Sequence, residues 1–112
     1  MAGLSLLSLS VVPGRDGVTV VVGGEVDLSN AGEFEAQLER LWAAGWTTVD
    51  VDLRQVSFMD SSGLHALSRA VRAASALGTT LTIVDVSEPV RRLLGLTGMD
   101  EVLPIRSRTE AA

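Results

Sequence analysis

Apolar residues along the chain switch between two periods, and the switches mark out its elements. Leu4 to Val12 is a run of Leu, Ser and Val that stops at Pro13-Gly14-Arg15-Asp16-Gly17, a cluster of turn formers. Val18-Thr19-Val20-Val21-Val22 follows as a β-branched strand, and the two segments predict a hairpin. After Gly23-Gly24-Glu25-Val26-Asp27 the period lengthens. Ala31, Phe34, Leu38, Leu41 and Trp42 recur at helical spacing, with Ser29 or Asn30 as N-cap and Gly45 as the stop.

Alternation returns from Thr47 to Leu53, with Val49, Val51 and Leu53 on one face and Asp50 and Asp52 on the other. Phe58-Met59-Asp60-Ser61-Ser62-Gly63 then opens a second helix, whose core face is Leu64, Leu67, Val71 and Ala74 and whose stop is Gly78. Thr80 to Val86 reads as a strand. Ser87 caps a helix from Glu88 to about Leu96 that carries Val90, Leu93 and Leu94 and closes at Gly98, and Val102 to Ile105 reads as a short last strand. The order is β-β-α-β-α-β-α-β. Strands alternating with helices after an opening hairpin predict an α/β layered domain. Its sheet is mixed but mostly parallel, and its helices pack on the sheet.

Composition sharpens this picture. The 112 residues suit a single domain spanning 1–112, with a core over about 4–105 and a short polar tail from Arg106 to Ala112. A hydrophobic content of 46% is enough for a packed core and argues against a disordered chain. No apolar run approaches the ~20 residues of a membrane helix. The start, Met1-Ala2-Gly3-Leu4, lacks a charged leader region, so a cytoplasmic protein with no membrane role is expected.

Absences narrow the chemistry. There is no cysteine, which removes disulfides, thiolate metal sites and Cys nucleophiles. All nine basic residues are Arg, which removes Schiff-base lysines and the Walker-type lysine. A single His, His65, leaves most acid–base constellations unformed, so no metal and no cofactor are expected. The net charge of −5 disfavours nucleic-acid binding. The composition favours a binding or regulatory module over an enzyme.

Met59-Asp60-Ser61-Ser62-Gly63-Leu64 lies at a strand-to-helix junction, where α/β sheets carry their functional loops. The first amides of the helix offer a seat for an anion such as a phosphoryl group on Ser61. Asp60 is placed to cap the helix or orient the Ser61 hydroxyl. Gly63 leaves room where a partner backbone or nucleotide phosphate would approach. Asp-Ser-Ser-Gly is equally ordinary N-cap and turn chemistry, so this spacing alone leaves both readings open.

The segment Val56-Ser57-Phe58-Met59-Asp60-Ser61-Ser62-Gly63-Leu64, following Val49-Asp50-Val51-Asp52-Leu53, resembles the phosphorylation loop of the STAS family of bacterial anti-sigma factor antagonists. Gly24-Glu25-Val26-Asp27, Thr82-Ile83-Val84-Asp85-Val86 and Val90-Arg91-Arg92-Leu93-Leu94 with Leu96-Thr97-Gly98-Met99 are similar to further family pieces in the same order. The resemblance implies that Ser61 is the phosphoacceptor. It places Asp27, Met59, Asp60, Ser61, Ser62, Gly63, Leu64 and His65 at the partner-binding surface. The implied partner is an anti-sigma factor with a histidine-kinase-like ATPase domain, a serine kinase that brings its own ATP and Mg²⁺. A metal-dependent serine phosphatase is the implied second partner. The unphosphorylated antagonist would capture the anti-sigma factor and free the sigma factor, and phosphorylation of Ser61 would end the capture.

Two departures stand out. His65 occupies a position where the family often has a small residue; it projects one turn beyond Ser61, as a surface residue or as a pH-sensitive influence on the phosphate. Many members also continue into a fourth helix, where this chain has only Ser107 to Ala112. Trp42 and Trp46 read as packing residues, Asp50 and Asp52 as a polar strand face, and Arg91-Arg92 as a solvated helix face. A response-regulator receiver is rejected because its strand-end lysine is missing. A hydrolase is disfavoured because no nucleophile–base pair is evident. The remaining alternative keeps the fold but not the phosphorylation: a scaffold or ligand-binding subunit of a lipid-transport or stress-sensing assembly.

Overall fold

The computed structural model describes residues 5–107. Its elements are β1 (Leu7–Pro13), β2 (Val18–Val26), α1 (Ala31–Ala43), β3 (Thr48–Met59), α2 (Ser61–Leu77), β4 (Thr80–Val86), α3 (Glu88–Thr97) and β5 (Ile105–Arg106), with a 3-10 turn at Met99–Glu101 before β5. The five strands form one sheet in the order β1-β2-β3-β4-β5. β1 runs antiparallel to β2, and every other neighbouring pair is parallel. The expected α/β order and opening hairpin are both present.

A sequential strand order has a direct consequence. Each right-handed crossover lays its helix on the same face of the sheet. Buried residues agree: Phe34 and Leu38 of α1, Leu64 and Leu67 of α2, and Val90 and Leu94 of α3 join one core with Val20, Val51 and Ile83. The opposite face carries the alternate positions, among them Asp50, Thr82 and Arg106, where Arg106 pairs with Asp50 at 3.5 Å. Asp52 lies on that face too but is buried, with Arg54 donating to its carboxylate through Nε and Nη2 at 3.4 and 3.1 Å. The expectation of a simple polar face therefore fails at Asp52. The hydrogen bond from Arg54 and the nearby negative charge raise the Arg54 guanidinium above its ordinary pKa.

Several boundaries differ from the expected ones. β2 continues four residues past Val22, and β3 runs to Met59 instead of stopping at Leu53. Up to Leu53, β3 is flanked by β2 and β4; beyond it, only β2 pairs, with register shifts at Val21/Gly23 and Gly24/Glu25. These bulges break the two-residue alternation, so Arg54-to-Met59 does not read as a strand. Phe58 and Met59 accordingly end a strand and do not begin a helix. At the other end, Leu103 turns into the core after the 3-10 turn, and β5 contains only Ile105 and Arg106. Arg106 is thus part of the sheet and not of a tail; residues 108–112 of the expected tail and Leu4 of the expected first strand lie outside the described residues.

Candidate phosphoacceptor and partner-binding site

The candidate site is built where β2 and β3 end side by side. Val26 pairs with Met59, so the next residues, Asp27 and Asp60, leave adjacent strands together, and the Asp60 amide donates to the Val26 carbonyl at 3.2 Å. This is the carboxyl end of a parallel pair, the usual place for functional loops in such sheets. Gly24 sets up the approach. Its φ of +81° suits glycine, and a Cβ there would strike the carbonyl oxygen of Leu6, which accepts a bond from Glu25.

Asp60 is the N-cap of α2. Its Oδ1 accepts from the Ser62 amide at 2.8 Å and the Gly63 amide at 3.3 Å. Ser61 is therefore the first helical residue, and it is exposed. The anion seat expected at these amides is already filled by the Asp60 carboxylate. A phosphoryl group on Ser61 would meet a helix end whose second and third amides are satisfied and a carboxylate one residue away.

Asp27 is held by a second local network. Its Oδ1 accepts from the amide of Ser29 at 2.9 Å and from the Ser29 hydroxyl at 2.6 Å. Asn30 occupies the N-cap position of α1 but makes no capping bond with its side chain. Instead it is buried, accepts from the Asp27 amide at 2.9 Å, and donates to the Glu25 carbonyl at 2.9 Å. Ser29 and Asn30 thus fix the turn that presents Asp27, a role that N-cap reasoning missed. Ser87 likewise occupies the cap position of α3 without a side-chain cap bond, and its hydroxyl is buried without a partner.

The remaining expected residues divide cleanly. Asp27, Asp60 and Ser62 are half-buried, while Ser61 and His65 are exposed. Met59, Gly63 and Leu64 are buried. They face the core and support the loop from beneath, so they offer no direct surface to a partner. Gly63 departs most from expectation, because a Cβ there would lie 2.6 Å from Met59 Cγ and 2.9 Å from Val26 Cγ1. Its missing side chain lets α2 close onto the strand ends and does not clear a path for a partner. Two exposed apolar side chains flank the loop, Leu28 directly after Asp27 and Phe58 two residues before Asp60, at 83% and 49% exposure. An apolar residue left on the outside beside a polar loop was the available signal for both.

Farther along α2, Arg69 donates to both carboxylate oxygens of Glu35 on α1 at 2.7 and 3.1 Å, which ties the two helices. That hydrogen bond raises the Arg69 guanidinium pKa. Among the described residues no group of three or more His, Asp or Glu side chains could hold a metal ion. No helix among them is long and apolar enough to cross a membrane.

A sheet with sequential order, an opening antiparallel strand, helices on one face and a capped serine loop at the ends of β2 and β3 defines a STAS-type regulatory module. The STAS domain model matches residues 10–112, and the chain belongs to that family. An anti-sigma-B factor antagonist from Staphylococcus epidermidis is 33% identical over 104 residues, which are 93% of this chain and 96% of the relative. The crystal structure of an anti-sigma factor antagonist from Mycobacterium paratuberculosis superposes with a TM-score of 0.78 at 26% identity, covering 88% of this chain and 84% of that one. The Bacillus cell fate determinant SpoIIAA in its phosphorylated form shares the fold, with a TM-score of 0.68 at 21% identity over 94% of this chain and 95% of that one.

Proposed function

We propose that this chain is an anti-sigma factor antagonist that works by partner switching. Its unphosphorylated form binds an anti-sigma factor that is also a serine kinase, and phosphorylation of Ser61 ends that binding. The observation that carries this reading is the exposed residue Ser61 on the first turn of α2, beside the Asp60 carboxylate that fills the cap. Relatives named anti-sigma-B factor antagonist over nearly the whole chain support the same assignment.

In the transfer step the Ser61 Oγ attacks the γ-phosphorus of ATP bound to the kinase. The bond to ADP breaks, and the hydroxyl proton passes to a base on the partner. This chain contributes the acceptor and its placement; the nucleotide and its Mg²⁺ belong to the kinase. A serine phosphatase reverses the change by directing water at the same phosphorus. Ser61 is favoured over Ser62 because Ser61 is exposed while Ser62 is half-buried with its amide tied to Asp60.

The switch follows from charge. A phosphoserine adds roughly −1.5 to −2 charges and three acceptor oxygens. The cap amides that would offset this charge are engaged by Asp60, and Asp27 leaves the neighbouring strand end. A partner surface shaped for a neutral hydroxyl then meets like charge and a desolvation cost. A coupling of about 1–3 kcal/mol changes affinity roughly 5–150-fold without any change of fold. Calorimetric titration of the cognate anti-sigma factor against Ser61→Ala and Ser61→Asp tests this. The Asp variant, and not the Ala variant, should lose affinity by that factor. Equal affinity of the two would overturn the switch in favour of an unphosphorylated scaffold.

A further inference from the structure

We infer that β1 is an interface for a second copy of this chain, which pairs antiparallel across the open edge of the sheet. β1 is the outermost strand and pairs only with β2, and among the described residues nothing pairs with its outer side. The phase of the ladder identifies which groups are left over. Leu6 accepts from the Glu25 amide at 3.0 Å, so residues 6, 8, 10 and 12 turn their main-chain groups towards β2. Leu7, Leu9, Val11 and Pro13 turn theirs outward. Pro13 sits where a missing N–H costs nothing, and the outward amide of Leu7 donates to the Ser5 hydroxyl at 3.3 Å.

Among the described residues this edge lacks the usual protection. Natural sheets guard an open strand with charged side chains, a bulge or a covering loop. Here no charged side chain precedes Arg15, the register from Leu7 to Pro13 has no shift, and Pro13 guards one end only. Val11 and Val12 remain 38% and 52% exposed.

The strand is also complementary to itself, which selects a second copy as the occupant. With Ser10 set against Ser10 of the other copy, Leu9 lies opposite Val11 in both directions. Residues so paired always share a face, because their numbers have the same parity. Leu9 and Val11 stand beside Val22 and Val20, two fully buried core residues, so the pairing extends the apolar layer across the seam. The uncharged strand lets two acidic chains, each of net charge −5, meet without local repulsion.

Geometry keeps the candidate site free in such a dimer. Leu7 lies beside Gly24, near the Asp27 end of the sheet, and Pro13 lies beside Val18 at the far end. An antiparallel two-fold therefore sends the two Ser61 loops to opposite ends of a continuous ten-stranded sheet, and each can take its own partner. A seam of one strand pair falls short of the ~1,200 Å² typical of stable interfaces, so the dimer is weak and depends on concentration.

The test is sedimentation of the unmodified chain from low micromolar to about 1 mM, a range suited to weak association. The expected result is an average mass rising from 11.8 kDa towards twice that value. Hydrogen exchange at the Leu9 and Val11 amides should slow over the same range. Val11→Pro removes an outward amide without touching the bonds to β2, and Val11→Lys places like charges across the seam; both should hold the chain monomeric while circular dichroism stays unchanged. A chain that remains at 11.8 kDa at the highest concentration overturns the inference. So does dimerisation that both variants leave intact. Neither result bears on binding of the anti-sigma factor, which the Ser61 variants test separately.

Discussion

Replacing Gly63 with Ala probes how closely the candidate site is coupled to the core beneath it. The new Cβ would lie 2.6 Å from Met59 Cγ, 2.9 Å from Val26 Cγ1 and 3.3 Å from Met59 Sδ. No water-sized void lies between Val22, Val26, Met59 and Gly63, so the methyl group displaces its neighbours. Val26 is β-branched and stiff and Met59 is buried, so the Met59 side chain must repack, or the strand ends or the start of α2 must shift. Overpacking of this kind costs about 1–3 kcal/mol. Alanine returns up to about 1 kcal/mol through its better helix propensity, less in a first turn than in mid-helix. The net expectation is a loss of about 0.5–2 kcal/mol, or roughly 2–8 °C in Tm for a domain of this size. Because Val26 and Met59 directly precede Asp27 and Asp60, affinity for the anti-sigma factor should fall with stability. Urea titration gives the first quantity and calorimetry the second. A Gly63→Ala protein more stable than the parent would refute the reasoning, since the propensity gain would then have gone unopposed. Adding Met59→Ala should cost less in the Gly63→Ala background than in the parent, by about 1 kcal/mol, as expected for residues in contact.

Asp60→Ala removes the α2 cap and should cost about 0.5–2 kcal/mol in urea titrations, whereas Asp60→Asn keeps an acceptor for the Ser62 and Gly63 amides and should cost much less. Phosphorylated Asp60→Asn should retain more affinity for the anti-sigma factor than the phosphorylated parent does; an unchanged loss would exclude Asp60 as a source of the repulsion. Asn30→Ala leaves the Asp27 amide and the Glu25 carbonyl without their partner and should destabilise by about 2–4 kcal/mol, seen as a lower urea midpoint at constant slope. Leu28→Ala and Phe58→Ala remove exposed groups and should leave Tm within about 2 °C of the parent. Each should nevertheless weaken anti-sigma binding by about 1–2 kcal/mol, or roughly 5–30-fold, if these side chains anchor the interface.

Elements with an uninterrupted period were legible in the sequence, and those shaped by partners were not. α1 and α2 follow their apolar stripes, with Phe34, Leu38, Leu64, Leu67 and Ala74 all buried as their spacing predicts. Gly78 and Gly98 end their helices in the left-handed conformation that glycine permits. The second half of β3 was hidden because it pairs with β2 alone through two bulges, and a bulge shifts which residues face inward. Asp52 was misread for a related reason. Alternation predicts its face but not its burial, nor that Arg54 folds back to donate to its carboxylate. At the site, the serine loop and its cap were visible as a local pattern. The inward roles of Met59, Gly63 and Leu64 were not, because a short motif does not reveal which of its residues a helix will press against the sheet.

The filled cap changes how a phosphoryl switch at this position must work. A helix N-terminus with free amides stabilises an added phosphate, and the modified state then gains new hydrogen bonds of its own. Here the Asp60 carboxylate already accepts from the second and third amides of α2, so a phosphoryl group on Ser61 would add charge where those two donors are engaged. The same carboxylate has two effects with one cause. It stabilises the unmodified loop by capping the helix, and it would withhold that stabilisation from a phosphate on Ser61. Ordering of the loop therefore does not depend on phosphorylation. Under the proposed switch the two states would differ mainly in the field they present to a partner at the ends of β2 and β3, where Asp27 and Asp60 emerge side by side. A rigid loop with a variable charge suits reversible exclusion of a partner, because affinity can change while nothing in the fold has to be rebuilt.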